Sequence, residues 1–207
     1  MHRFLVFIAT LLIMATTAHA DIKLFPALYG VTDVASNDML NVRAGPGASH
    51  PVIETLAHND RDIEILRLSG DRKWGLIGYP SGNGWASMRY LKRQGGQIGP
   101  DLPRPLGCGG NEPFWAITFG ENTNEFLEPG QMSHALGTVW QGIPDGMQPV
   151  AYGIKMAGGG GEINAVITRS ACSDGMSERA YGFEINALLS GTLGNRMLTG
   201  CCSLKRR

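Results

Sequence analysis

The sequence predicts an all-β protein made of two compact units. Short runs alternate apolar and polar side chains with a period of two, as strands with one buried face do. Breaks rich in Gly, Pro, Asn and Asp separate these runs at close spacing. The carboxyl-terminal half nowhere sustains the 3.6-residue apolar period of a helix.

The chain opens on a processing segment, residues 1–20. His2 and Arg3 form a short basic start, Phe4 to Met14 is apolar, and Ala18-His19-Ala20 fits a small-x-small cleavage site. The apolar run is shorter than the ~20 residues that cross a bilayer, which disfavours the rival reading of a retained anchor helix. No Cys follows the cleavage point, so lipid attachment there has no support. The expected mature chain starts near Asp21 and is periplasmic or secreted, not membrane-embedded. Removing Arg3 leaves 17 basic against 18 acidic residues, a net charge of −1. That balance offers no electrostatic footprint for nucleic acid or an anionic membrane. The basic end Lys205-Arg206-Arg207 reads as a solvated tail.

Residues 21–92 form the first unit. Leu24 to Thr32 is a lead-in strand, followed by strands near Met39–Arg43, Pro51–Leu56, Asp62–Leu68, Trp74–Tyr79 and Gly84–Ser87. Ser69-Gly70-Asp71 and Ser81-Gly82-Asn83-Gly84 are the turns, the second through its Asn-Gly step. Met88 to Leu91 is a closing helical turn. Many short, closely spaced strands predict a small, nearly closed barrel. At Leu40-Asn41-Val42-Arg43 the alternation is cleanest, and Gly45-Pro46-Gly47 reverses the chain. Together with His50-Pro51-Val52-Ile53, Gly84-Trp85-Ala86 and Tyr90-Leu91, this stretch resembles a bacterial SH3 (SH3b) domain over about Ala27 to Leu91. The resemblance implies an SH3-like barrel that binds cell-wall peptide or an envelope protein. The chain departs from the family pattern between Leu68 and Tyr79, which is longer and more polar. Trp74, Tyr79, Trp85 and Tyr90 are the aromatic set, divided between core and a shallow groove, since aromatics give large contact area at low entropy cost. Arg43 faces solvent by alternation, to meet a ligand carboxylate or to brace the turn. The expected groove surrounds Trp85 and Tyr79.

Residues 93–106, with Gly95, Gly96, Gly99, Pro100, Pro103 and Pro105, read as a linker, part flexible and part extended.

The second unit, residues 107–207, is an antiparallel β-barrel or sandwich. Phe114 to Phe119 opens it, and further strands fall at Ala135–Trp140, Val150–Met156, Glu162–Thr168, Tyr181–Leu189 and Arg196–Gly200. Its four cysteines, Cys108, Cys172, Cys201 and Cys202, follow an export signal, so disulfides are allowed. Adjacent Cys201 and Cys202 do not bridge each other without strain, which leaves two connectivities, each with one of the pair joined to Cys108 and the other to Cys172. On a strand the two side chains face opposite ways, so one bridge is internal and one external. Each contributes about 2–4 kcal/mol. A zinc site lacks the CxxC spacing. The blocks Gly110-Asn111-Glu112-Pro113-Phe114-Trp115, Cys172-Ser173-Asp174-Gly175-Met176-Ser177 and Gly200-Cys201-Cys202 are similar to an uncharacterised family of exported bacterial proteins, often lipoproteins and sometimes fused to small META-type β domains. That resemblance implies no activity.

Phe114-Trp115 reads as a buried aromatic pair, with Glu112 bonded to the turn around Ser173 or paired with Arg179. Glu112, Asp174 and Arg179 form a polar site, with too few oxygens for calcium. Ser173-Asp174-Gly175 is a turn. A nucleophile at Cys172 or Ser173 served by His134 is the catalytic rival, which an oxidised cysteine rules out for the thiol. The function expected is a non-catalytic, cofactor-free envelope binding protein. The alternatives are an envelope hydrolase or thiol redox enzyme acting through the second unit, and an inhibitor or assembly factor that binds through loops between Asn122 and Gly142.

Overall fold

The computed structural model describes residues 24–95 and 99–204. The leader and the basic tail expected from the sequence lie outside them. Among the described residues every regular element is a strand except for one 3-10 turn.

Two small sheets make the first unit. Strand β1 (Ala27–Val31) lies between β4 (Ile63–Ile65) and β8 (Leu91–Arg93). The second sheet runs β3 (Val52–Ala57), β2 (Met39–Arg43), β7 (Gly82–Ser87), β6 (Trp74–Tyr79), β5 (Arg67–Leu68). Between them lies a core of Ala27, Tyr29, Leu40, Val42, Ile63, Ile65, Ile77 and Ala86. The 3-10 turn Met88–Tyr90 feeds β8, which returns to pair with β1. The expected strand over 62–68 is two strands in different sheets. Leu66 is the corner, its N–H bonded to the Leu76 carbonyl at 2.8 Å. Strands change sheets at such bends. The Ser69 turn forms as expected, with Ser69 Oγ donating to Asp71 Oδ1 at 2.6 Å.

The Asn83-Gly84 turn does not form. Tyr79 pairs with Gly82, so the hairpin closes through Pro80-Ser81 and Asn83-Gly84 lie within β7. Packing overrides the turn signal here. A Cβ on Gly84 would sit 2.5 Å from Val42 Cγ1, so the glycine admits the neighbouring strand.

The second unit is a closed barrel of eight strands in sequence order: β9 (Leu106–Asn111), β10 (Phe114–Phe119), β11 (Asn124–Leu127), β12 (His134–Gly142), β13 (Ala151–Gly158), β14 (Gly161–Ser173), β15 (Ala180–Gly191) and β16 (Arg196–Leu204). Every neighbouring pair is antiparallel, and β16 pairs with β9 to close the ring. Inward positions follow the period of two: Tyr152, Ile154 and Met156 on β13, Ile163, Ala165 and Ile167 on β14, Phe183, Ile185, Ala187 and Leu189 on β15. The interior is a packed apolar core. Three glycines in Leu106–Asn111 hide β9 from a reading by periodicity, and β11 is too short to announce itself.

From residue 99 onward the segment read as a linker packs on the barrel. Leu102 belongs to the barrel core, and the Arg104 guanidinium donates to the Gly120 carbonyl and to Asn124 Oδ1, both at 2.7 Å. Burial lowers the Arg104 pKa, and these oxygens compensate.

The two units are docked. Leu28 of β1 packs into the barrel core, and Pro26 lies against Gly182, where a Cβ would approach to 2.6 Å. Arg169 Nη1 donates to the Pro26 carbonyl at 2.6 Å. The Leu204 N–H donates to Glu64 Oε1 at 2.9 Å.

Candidate functional site

Both disulfides form: Cys108–Cys202 and Cys172–Cys201. Cys108 and Cys202 face each other directly on β9 and β16, so this bridge lies inside the barrel across its closing seam. Cys201 points outward and takes Cys172 from β14, reaching over β15. One bridge is internal and one external, as the alternation predicts, and of the two connectivities left open this is the one that forms.

The external bridge starts an arch, residues 172–179, laid across the outer wall. Asn111 of β9 donates from Nδ2 to the Asp174 carbonyl at 2.7 Å, which clips the arch to a strand beyond β15 and β16. At the far end Asn83 of the first unit donates to the Glu178 carbonyl and accepts from the Ala180 N–H. The three sequence blocks therefore meet in one place, as hairpin, arch and seam. Asp174 organises the arch: its carboxylate accepts from the Ser177 and Met176 N–H groups and from the Ser177 and Tyr181 hydroxyls. The Ser177 N–H is the largest influence holding its pKa below the ordinary carboxylate range. The expected turn at Ser173-Asp174-Gly175 is this structure.

Glu112 occupies the exposed loop of the β9–β10 hairpin. It bonds neither to the Ser173 turn nor to Arg179; the neighbouring Asn111 makes the contact instead. Phe114 and Trp115 are not a buried pair. Successive strand residues face opposite sides, so Trp115 is buried and Phe114 is 54% exposed. The Trp115 indole lies over Gly110 and Gly200, where a Cβ would sit 2.3 Å and 2.9 Å from ring atoms. Gly110 leaves room for the ring, while at Gly200 the Gly109 carbonyl crowds a Cβ even more than the ring does.

Arg179 lies at the end of the arch. Its guanidinium covers the Tyr181 ring at 4.7 Å, Nη2 reaches Ser203 Oγ at 3.4 Å, and Nε is buried without a partner among the described residues. Burial raises the Tyr181 pKa against the lowering effect of that cation.

On the first unit, Arg43, Trp74 and Tyr90 line one groove of about 420 Å³, together with Asp33, Asp38 and Arg89. Trp74 reaches it from β6 and Tyr90 from the 3-10 turn, and the Arg89 guanidinium lies 5.5 Å from the Tyr90 ring centre. Arg43 also braces its turn, donating to the His50 carbonyl at 2.8 Å. The expected groove around Trp85 and Tyr79 is not formed. Trp85 pairs with Leu76 and Tyr79 with Gly82, which puts the two rings on opposite faces of the sheet. Trp85 carries Arg67 over its ring at 5.0 Å, and Tyr79 turns toward Glu64 and Arg179 in the cleft between the units.

The thiol rival loses its nucleophile, because Cys172 is bonded to Cys201 and the described residues hold no free cysteine. Ser173 Oγ accepts from the Gly175 N–H, and His134 lies on β12 beside Phe126. Of the stretch from Asn122 to Gly142 offered as partner-binding loops, most is strand, leaving residues 122–123 and 128–133 outside the strands. Among the described residues no cluster of three His, Cys, Asp or Glu is placed to hold a metal, and no helix is long and apolar enough to cross a membrane.

Fold and site together define an all-β, disulfide-bonded protein with open grooves on two docked units. Comparison of the chain with protein-family models, curated proteins and solved structures finds no match.

Proposed function

We propose that this is an exported, non-catalytic binding protein of the bacterial cell envelope, whose first unit is an SH3b-type module that holds cell-wall peptide or an envelope protein. The observation that carries the reading is the convergence of Arg43, Trp74 and Tyr90 on one open groove. Two aromatic faces supply contact area, and Arg43 and Arg89 on one hand and Asp33 and Asp38 on the other suit a ligand bearing both charges, as cell-wall peptides do. Two disulfides fit an oxidising compartment and agree with the export leader read from the sequence.

Sedimentation with purified peptidoglycan tests this. The wild type is expected in the pellet and Trp74→Ala in the supernatant, with Trp85→Ala behaving as wild type. Wild-type protein that stays in the supernatant would remove the cell-wall reading.

A further inference from the structure

Between Phe114 and Arg179 the outer barrel wall carries a trench of about 470 Å³ that is separate from the first unit's groove. Its floor follows from the sequence of β9. The outward positions of that strand are Gly107, Gly109 and, at its end, Asn111, which is tied to the arch; the facing outward positions on the two adjacent strands that line the trench are Ala116, Cys201 and Ser203. Without large side chains there, the wall sinks. One side rises in Phe114, Leu127 and Pro129, of which Phe114 is 54% and Leu127 44% exposed. The other side is Tyr181 and Arg179.

The charges are unequal. Asp174 lies at the trench, but its oxygens are taken by the Ser177 and Met176 N–H groups and the Ser177 and Tyr181 hydroxyls. Arg179 is the opposite case. Its side chain makes no ion pair within the described residues, the Glu64 carboxyl in the cleft between the units acts on it only through space, its one side-chain hydrogen bond is the 3.4 Å contact to Ser203, and its Nε has no acceptor. A guanidinium is always charged and presents donors in a planar fork that matches a carboxylate. The trench thus offers a cation short of acceptors at one side and an exposed apolar wall at the other, over a floor that admits an extended backbone.

We propose that this trench binds an extended peptide through a carboxylate, held by Arg179, with an apolar side chain laid against Phe114 and Leu127. The inference does not rest on the peptidoglycan reading, since it concerns the other unit.

Calorimetric titration of the full chain with N-acetyl-leucyl-leucine, and with the same peptide as its carboxyl-terminal amide, tests it. The acid should bind saturably and the amide about tenfold more weakly, the usual weight of a charge-assisted pair. Arg179→Gln should bring the acid down to the level of the amide. Arg179 also faces the cleft between the units, so Phe114→Ala, at an exposed position, supplies a second variant. It should weaken acid and amide alike, while Trp74→Ala leaves both unchanged. Equal binding of acid and amide, no saturable binding of either, or wild-type affinity in Phe114→Ala would each overturn the proposal.

Discussion

The two units solve the same problem, a β-sheet that must not leave its edges raw, in different ways. The first uses strands of two to six residues in two small sheets, with no covalent tie. The second uses strands of up to 13 residues, closes them into a ring, and staples the closing pair with a buried disulfide. Closure removes edges altogether, whereas short strands only limit them. Their recognition surfaces differ to match. In the first unit the groove is assembled from a strand, a hairpin neighbour and a 3-10 turn, so it depends on loops. In the second the trench is cut into the wall by small outward residues, and its shape is as fixed as the strands beneath it.

The contrast breaks most completely at the staple. Cys108 and Cys202 enclose 94 residues. Replacing both with Ser should cost about 4–5 kcal/mol, against about 3–4 for the 29-residue separation of Cys172 and Cys201. Guanidinium unfolding of the two double mutants reads the order; equal losses would mean that closure does not depend on the inner bridge. Next comes Leu102→Ala, at a position that composition assigns to a linker. As a core residue it should lose about 2–5 kcal/mol, measurable by the same unfolding curves, whereas a true linker position would lose almost nothing.

Where the units meet, the contrast sharpens into a pH effect. Glu64 turns its carboxyl into the junction, and burial is the main cause that pushes its pKa from 4.5 up to about 7, against the Leu204 N–H and the Arg179 and Arg169 charges. The folded protein therefore keeps a proton that the unfolded chain gives up near 4.5. The stability associated with this proton is complete below that pH and is lost as pH rises through about 7, by about 3 kcal/mol at the largest. Thermal melts between pH 4 and 8 should show that decline in the wild type and a flatter profile in Glu64→Gln. A smaller effect belongs to Asn83, whose amide joins the first unit to the arch. Asn83→Ala should cost about 1 kcal/mol and speed hydrogen exchange at Ala180.

Much of the fold is legible in the residues. Alternation locates most barrel strands, and the rule that neighbours on a strand face opposite ways divides Cys201 from Cys202. The same rule, applied to Phe114 and Trp115, would have separated them as well. Other features are hidden for a physical reason. Gly84 looks like a turn residue because local propensity does not register the Val42 side chain packed against it. Glu64 has the plain look of an outward charge in Ile63-Glu64-Ile65; its environment is set by Leu204, far along the chain. Asn83 reads as a turn former and Asn111 as part of a motif, but both act as clips between distant segments. The blocks around Asp174 were visible as motifs, while their convergence required the register of β14, β15, β16 and β9.

Everything about the barrel, including the depth of its trench and the position of the arch, rests on which cysteine of the adjacent pair points inward. Proteolysis of the unreduced protein, with cleavage of the chain between Cys201 and Cys202 and mass spectrometry of the linked peptides, reads this directly. The expected pairs are Cys108 with Cys202 and Cys172 with Cys201. Recovery of Cys108 with Cys201, or of any free thiol among the four, would contradict the account.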